Sequence, residues 1–187
     1  MGRWEPDARG RLMLAALALY TERGYEQTTV ADIAQRAGVT ERTFFRHFTD
    51  KREVLFEGSG ALQETVVAAI EAAPASQTPI DVVGAAMVRA AQMLQERRDF
   101  ARQRAAAIAA NPSLQERELL KLAKLGAAAA AALRERGVRE PAAGMAAEIG
   151  VAVFKVAFEQ WIADRQPVDF ADRIQETLEQ AKALTNA

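Results

Sequence analysis

The chain has 187 residues, half of them hydrophobic, with a formal net charge of −1, one histidine and no cysteine. That length and apolar content suffice for one or two cored units, while the missing thiols exclude disulfides, thiol catalysis and thiolate zinc sites, and a lone His argues against a His-based metal centre. A near-neutral balance excludes attraction to phosphate over the whole surface, so any nucleic-acid contact has to come from a local concentration of cations.

Taken in order, residues 6–23 read as a first helix, with Leu12, Ala16, Leu19 and Tyr20 on one side and Gly24 closing it. Thr29 begins a second helix with Asp32 three residues on, a capping-box spacing, and Ile33, Ala34 and Ala37 form its buried side. Gly38 permits a tight turn, and Thr40 suits the N-cap of a third helix running to Phe48. A longer helix is expected over residues 51–72, with Gly58 and Gly60 weakening its middle, followed by a loop over residues 73–79. Five more helices follow, near residues 80–96, 99–109, 112–136, 141–164 and 168–184, with Pro112 and Pro141 in first turns and Gly137 past a helix end. Alanine runs and the lack of β-branched clusters between turn signals make the chain all-α, about nine helices in total. No stretch approaches the ~18 uncharged apolar residues of a membrane span, so a cytoplasmic protein without a membrane partner is expected.

The third helix carries the chemistry. At about 100° per residue Phe44 and Phe48 fall together toward a core while Arg42 and Arg46 fall nearly opposite, with Thr43 and Phe45 on the flanks. Two short helices around a glycine turn, the second with outward arginines, form the outline of a helix-turn-helix. From Arg36 to Arg52 five basic residues (Arg36, Arg42, Arg46, Lys51, Arg52) stand against two acids (Glu41, Asp50), so the positive charge is gathered at the motif. Guanidinium groups suit bidentate recognition of guanine in a major groove, which assigns base contact to Arg42 and Arg46, with Thr43 reaching a base edge or a thymine methyl. Thr28, Thr29 and Lys51, at helix starts, are placed to hold phosphates; Thr40, Glu41, Phe45 and His47 complete the candidate DNA-facing set. Glu41 either accepts from a cytosine amino group or favours the helix N-terminus. No nucleophile–base–acid set and no phosphate-binding glycine loop stand out, so no enzyme, cofactor or metal is expected.

The segment from Thr29 to Leu55, T-x-x-x-I-A-x-x-A-G-V-T-x-x-T-F-F-x-H-F-x-x-K-x-x-x-L, resembles the signature of the TetR family of bacterial transcriptional regulators, and the preceding residues 15–29 resemble the family's first helix and its connection, so the match covers roughly residues 10–56. Phe45 stands where many members carry Tyr, which removes a hydroxyl contact to phosphate. The resemblance implies a helix-turn-helix DNA-binding domain over residues 1–50 and a helical ligand-binding and dimerisation domain over residues 51–187. It implies a homodimer on a palindromic double-stranded operator, its recognition helices about 34–36 Å apart. It also implies release by a small-molecule effector, expected to be hydrophobic. For the dimer the sequence offers Val151, Phe154, Phe158, Trp161 and Ile162 on one side of the eighth helix, and Phe170, Ile174, Leu178 and Ala181 on the ninth, as interface or as intramolecular core. For the pocket it offers Met87, Met93, Phe100, Arg104, Ile108, Met145 and Phe154, with Arg104 either a ligand's anion partner or merely exposed. The competing reading is a constitutive activator or assembly module whose helical half binds protein and no ligand.

Overall fold

The structure, a computed structural model, describes residues 7–185. Among them there are nine α-helices, two 3₁₀ turns and no strand. No described helix is long and apolar enough to cross a membrane.

Helix α1 (Ala8–Arg23) starts where the Asp7 side chain accepts from the Gly10 N–H, and it stops at Gly24, whose φ of 85° an L side chain rarely adopts. Leu12, Ala16, Leu19 and Tyr20 are buried along it. Helix α2 (Val30–Arg36) has the capping box in full: the Thr29 hydroxyl accepts from the Asp32 N–H, and the Asp32 carboxylate accepts from the Thr29 N–H at 2.9 Å. Gly38, at φ 67°, turns the chain, and Thr40 accepts from the Thr43 N–H to start α3 (Glu41–His47). Residues 51–72 depart from the single helix expected. They form a 3₁₀ turn, Glu53–Phe56, then Gly58 at φ 84°, then α4 (Ser59–Glu71). The cause is burial: Val54, Leu55 and Phe56 are adjacent and all buried, a demand that a helix with one apolar stripe does not meet, and Asp50 tightens the turn by accepting from the Arg52 and Glu53 N–H groups.

The chain divides into two compact units. The first takes the described residues up to Glu57 and also Gln103–Glu118, which is the end of α6 (Arg98–Ala109) and the start of α7 (Pro112–Glu135). This differs from a division at residue 50, because contacts distant in sequence recruit the α6–α7 elbow. The Arg104 guanidinium donates to the Leu55 carbonyl at 2.6 Å, grips Glu118 at 2.7 and 3.1 Å, and lies 5.0 Å from the Phe56 ring. Arg117 donates to Glu53 at 2.5 Å, and Asn111 to Glu26 at 3.3 Å.

The second unit is built from α4, α5 (Pro79–Leu94), the start of α6, most of α7, α8 (Ala142–Ala163) and α9 (Phe170–Thr185). Its core joins Val66, Ile70, Val83, Met87, Leu133, Phe154, Trp161, Phe170 and Ile174, with alanines at many of the remaining buried positions. Trp161 stacks on Phe170 at 4.5 Å between centroids and donates its indole N–H to the Val168 carbonyl. Arg98 and Arg102 donate to the Trp161 and Ile162 carbonyls at 2.8 Å each, satisfying orphan acceptors at the end of α8. Glycines let the helices close up: a Cβ on Gly150 would collide with Val83 Cγ1, and one on Gly84 with a Leu178 methyl. Gly150→Ala is expected to destabilise the chain by about 1–3 kcal/mol, since β-branched Val83 is stiff about χ1, and Gly84→Ala by less, since the clash is with the far end of the flexible Leu178 side chain. Thermal unfolding of the two variants measures the difference.

Candidate nucleic-acid interface

Helix α3 is only seven residues long, so its register is set by what it buries. Phe44 is fully buried and Phe48 nearly so, their rings 5.6 Å apart and Phe44 edge-on to Phe45 at 5.4 Å. Anchoring this face turns Glu41, Arg42, Phe45 and Arg46 outward; all four are exposed, and Phe45 keeps 55% of its surface in solvent. Thr43 and His47 are half-buried. The Thr43 hydroxyl lies 3.1 Å from that of Thr40, and the His47 Nε2 is buried without a hydrogen-bond partner.

The surrounding cations are almost all engaged. Arg36 forms a two-pronged pair with Glu22 at 2.6 and 3.0 Å, Arg52 pairs with Asp50 at 3.0 Å, Arg9 with Glu57 at 2.7 Å and Arg23 with Asp32 at 3.4 Å. Hydrogen bonding from Arg36 holds the Glu22 carboxyl below its usual range, so it is ionised at neutral pH. Arg11 donates to the Ala37 carbonyl, and Arg104 and Arg117 are held as described above. Among the described residues of the first unit, Arg42 and Arg46 are the Arg and Lys side chains with no hydrogen-bond or ion-pair partner.

The expected phosphate-holding groups are placed otherwise. Thr28 is fully buried, its hydroxyl donating to the Gly24 carbonyl at 2.8 Å and its N–H to the Tyr25 carbonyl at 3.2 Å. The Thr29 N–H and hydroxyl both donate to Asp32. Lys51 turns inward: its ammonium donates to the Tyr25 and Thr28 carbonyls at 2.8 and 2.9 Å and sits 4.2 Å from the centre of the Tyr25 ring. Thr28 and Lys51 brace the approach to α2 from within, since the carbonyls between α1 and α2 need donors and Lys51 is within reach, while Thr29 stays exposed at the start of α2.

The pocket candidates fall in both units. Arg104 and Ile108 belong to the first unit, Met93 and Met145 are exposed, Met87 and Phe154 are sealed in the core of the second unit, and Phe100 is half-buried. Arg104, which the sequence left open as an anion partner for a ligand, instead joins the elbow to the turn after α3. The interface candidates resolve mainly to core: Val151, Phe154, Trp161, Phe170, Ile174 and Leu178 are buried within one chain, and Phe158, Ile162 and Ala181 are half-buried around them. Large aromatics go to the interior because they gain most by leaving water. The outward side of α8 carries Met145, Ala152, Val156 and Ala163, with Ile149 half-buried, at a spacing of four and three residues, and the small side chains among them give only a weak apolar signal in the sequence.

Residues 12–57 match the model for bacterial regulatory proteins of the tetR family, and residues 77–185 match the model for the MftR C-terminal domain. The chain is similar to the HTH-type transcriptional regulator TcmR of Streptomyces glaucescens, 42% identical over 78 residues, which is 42% of this chain and about a third (34%) of that protein. Two solved structures share its fold. FadR from Bacillus subtilis in complex with stearoyl-CoA has a TM-score of 0.64 and 19% identity, with 91% of this chain and 95% of that one covered. Thermus thermophilus FadR, a repressor in complex with lauroyl-CoA, has a TM-score of 0.53 and 24% identity, with 91% of each chain covered.

Proposed function

Because the chain belongs to the TetR family of bacterial transcriptional regulators, we propose that it is a dimeric repressor that grips a palindromic operator with α3 and is released by a small hydrophobic effector. The observation that carries the DNA reading is the pair of unpartnered guanidinium groups, Arg42 and Arg46, on the face of α3 opposite its buried phenylalanines. Free donors one helical turn apart suit acceptors on the floor of a major groove, and the exposed Phe45 ring beside them suits a thymine methyl or a sugar. Thr43 and Glu41 flank this pair, Thr40 caps the helix beneath it, and His47 closes its last turn.

One helix reads too few base pairs to select a site, which is the reason for a second copy. The exposed apolar positions of α8, at 145, 152, 156 and 163, repeat at the spacing by which helices pair, and they are the surface we assign to the dimer. The effector is assigned to the second unit. The acyl-CoA complexes of the two FadR structures support a long acyl chain as the first ligand to test.

One titration tests the whole reading. The purified chain, added to a labelled duplex of the DNA upstream of its own gene, is expected to saturate at two protomers per duplex, bind more weakly as salt rises, and dissociate on addition of lauroyl- or stearoyl-CoA. Equal binding to a scrambled duplex overturns the operator reading. Selective binding that acyl-CoA leaves untouched removes that effector class, and absence of any stabilising small molecule in a thermal-shift screen favours the constitutive module.

A further inference from the structure

The cations around the helix-turn-helix are numerous in the sequence and few in effect. Arg36, at the end of α2, is matched by Glu22 of α1; Arg52, soon after α3, by Asp50; Arg9 by Glu57. Glu22 and Glu57 come from outside the basic stretch, 14 and 48 residues from their partners. All three arginines are about half exposed, at 47–49% of their side-chain surface, and exposed pairs of this kind add little to stability.

Their effect on the electric field is larger. A carboxylate about 3 Å from a guanidinium replaces a charge by a dipole, whose potential dies away within the Debye length of about 8–10 Å. The cancellation does not depend on the bond staying closed. If Arg36 swings toward a phosphate, Glu22 remains a few ångströms away and repels the same phosphate. Sequence-independent affinity for DNA comes almost entirely from neutralising phosphates, whereas discrimination comes from base edges.

We propose that Glu22, together with Asp50 and Glu57, is a specificity-determining residue: an internal counterion that holds down binding to arbitrary DNA and leaves selection to Arg42 and Arg46. This rests on the DNA-binding reading above. A sequence-independent complex can slide and rotate until any free cation meets a phosphate. An operator complex is fixed in register by α3, so a freed Arg36 gains more on arbitrary DNA than on the operator.

The test uses Glu22→Gln, a near-isosteric change at an exposed site, in the full chain. Affinity is measured by fluorescence anisotropy across a salt series on two duplexes, one carrying the upstream DNA and one its scrambled sequence. On the scrambled duplex each freed cation is expected to steepen the log–log salt slope by about 0.9, which at 0.1 M salt corresponds to roughly eightfold tighter binding. The upstream duplex is expected to gain less, so the ratio of the two affinities falls. Glu22→Gln combined with Arg36→Gln is expected to restore the wild-type slope, which ties the effect to Arg36. An unchanged slope in Glu22→Gln overturns the proposal, and so does an equal gain on both duplexes, because Glu22 would then set affinity and not discrimination. A wild-type chain that binds neither duplex overturns the DNA-binding reading instead, and this inference with it.

Discussion

Replacing Arg42 with alanine is expected to weaken operator binding by about 30-fold or more, and adding Arg46→Ala to bring it down to the level of arbitrary DNA. Each guanidinium that grips a guanine contributes roughly 1–3 kcal/mol of discrimination, and a two-fold complex loses each contact twice. Both side chains are exposed and make no hydrogen bond or ion pair with described residues, so circular dichroism and the thermal midpoint should stay at wild-type values. Anisotropy titrations against single-base variants of the duplex then separate their roles. An arginine that reads a base loses preference at one position, whereas one that only holds phosphate weakens all sequences alike and lowers the salt slope by about 1. Full operator affinity in the double variant would remove α3 as the reading surface.

Phe44→Ala is expected to be the most damaging single change in the first unit, destabilising it by about 3–5 kcal/mol. The ring is fully buried and lies against both Phe45 and Phe48, so its loss leaves a cavity under the one helix whose register presents Arg42 and Arg46. Phe45→Ala removes a ring that is 55% exposed and is expected to shift stability by no more than about 0.5 kcal/mol. Urea unfolding of the two variants, followed alongside DNA binding, gives the contrast: Phe44→Ala loses both stability and affinity, while Phe45→Ala can lose affinity alone. Equal stability of the two would mean that α3 is not held by the face assigned to it.

The local grammar of the motif is legible in the sequence alone. Thr29 with Asp32, Gly38 and Thr40 act within three or four residues of themselves, and each does in the structure what its spacing implies. The phenylalanine pair follows from helical period, and the same residues carried the family resemblance. The break at Gly58 was half-legible: the glycine was visible as a weak point, but the three adjacent apolar residues before it ended the helix. The aromatic run of α8 and α9 was legible as apolar and ambiguous as to partner, because periodicity gives a face and not what covers it.

The sequence by itself therefore determined the all-helical class, the helix-turn-helix and which residues of α3 are buried and which exposed, because these follow from local caps and helical period. Only the tertiary structure decided how charge and donors are used around that face. Lys51 serves carbonyls 23 and 26 residues away, Arg104 a carbonyl 49 residues away, and Arg36 is neutralised by a glutamate 14 residues earlier on another helix. A side chain's charge is written in the sequence, but its partner is chosen by which distant segments the buried core brings within hydrogen-bonding reach. That choice left Arg42 and Arg46 without partners among the described residues of the first unit.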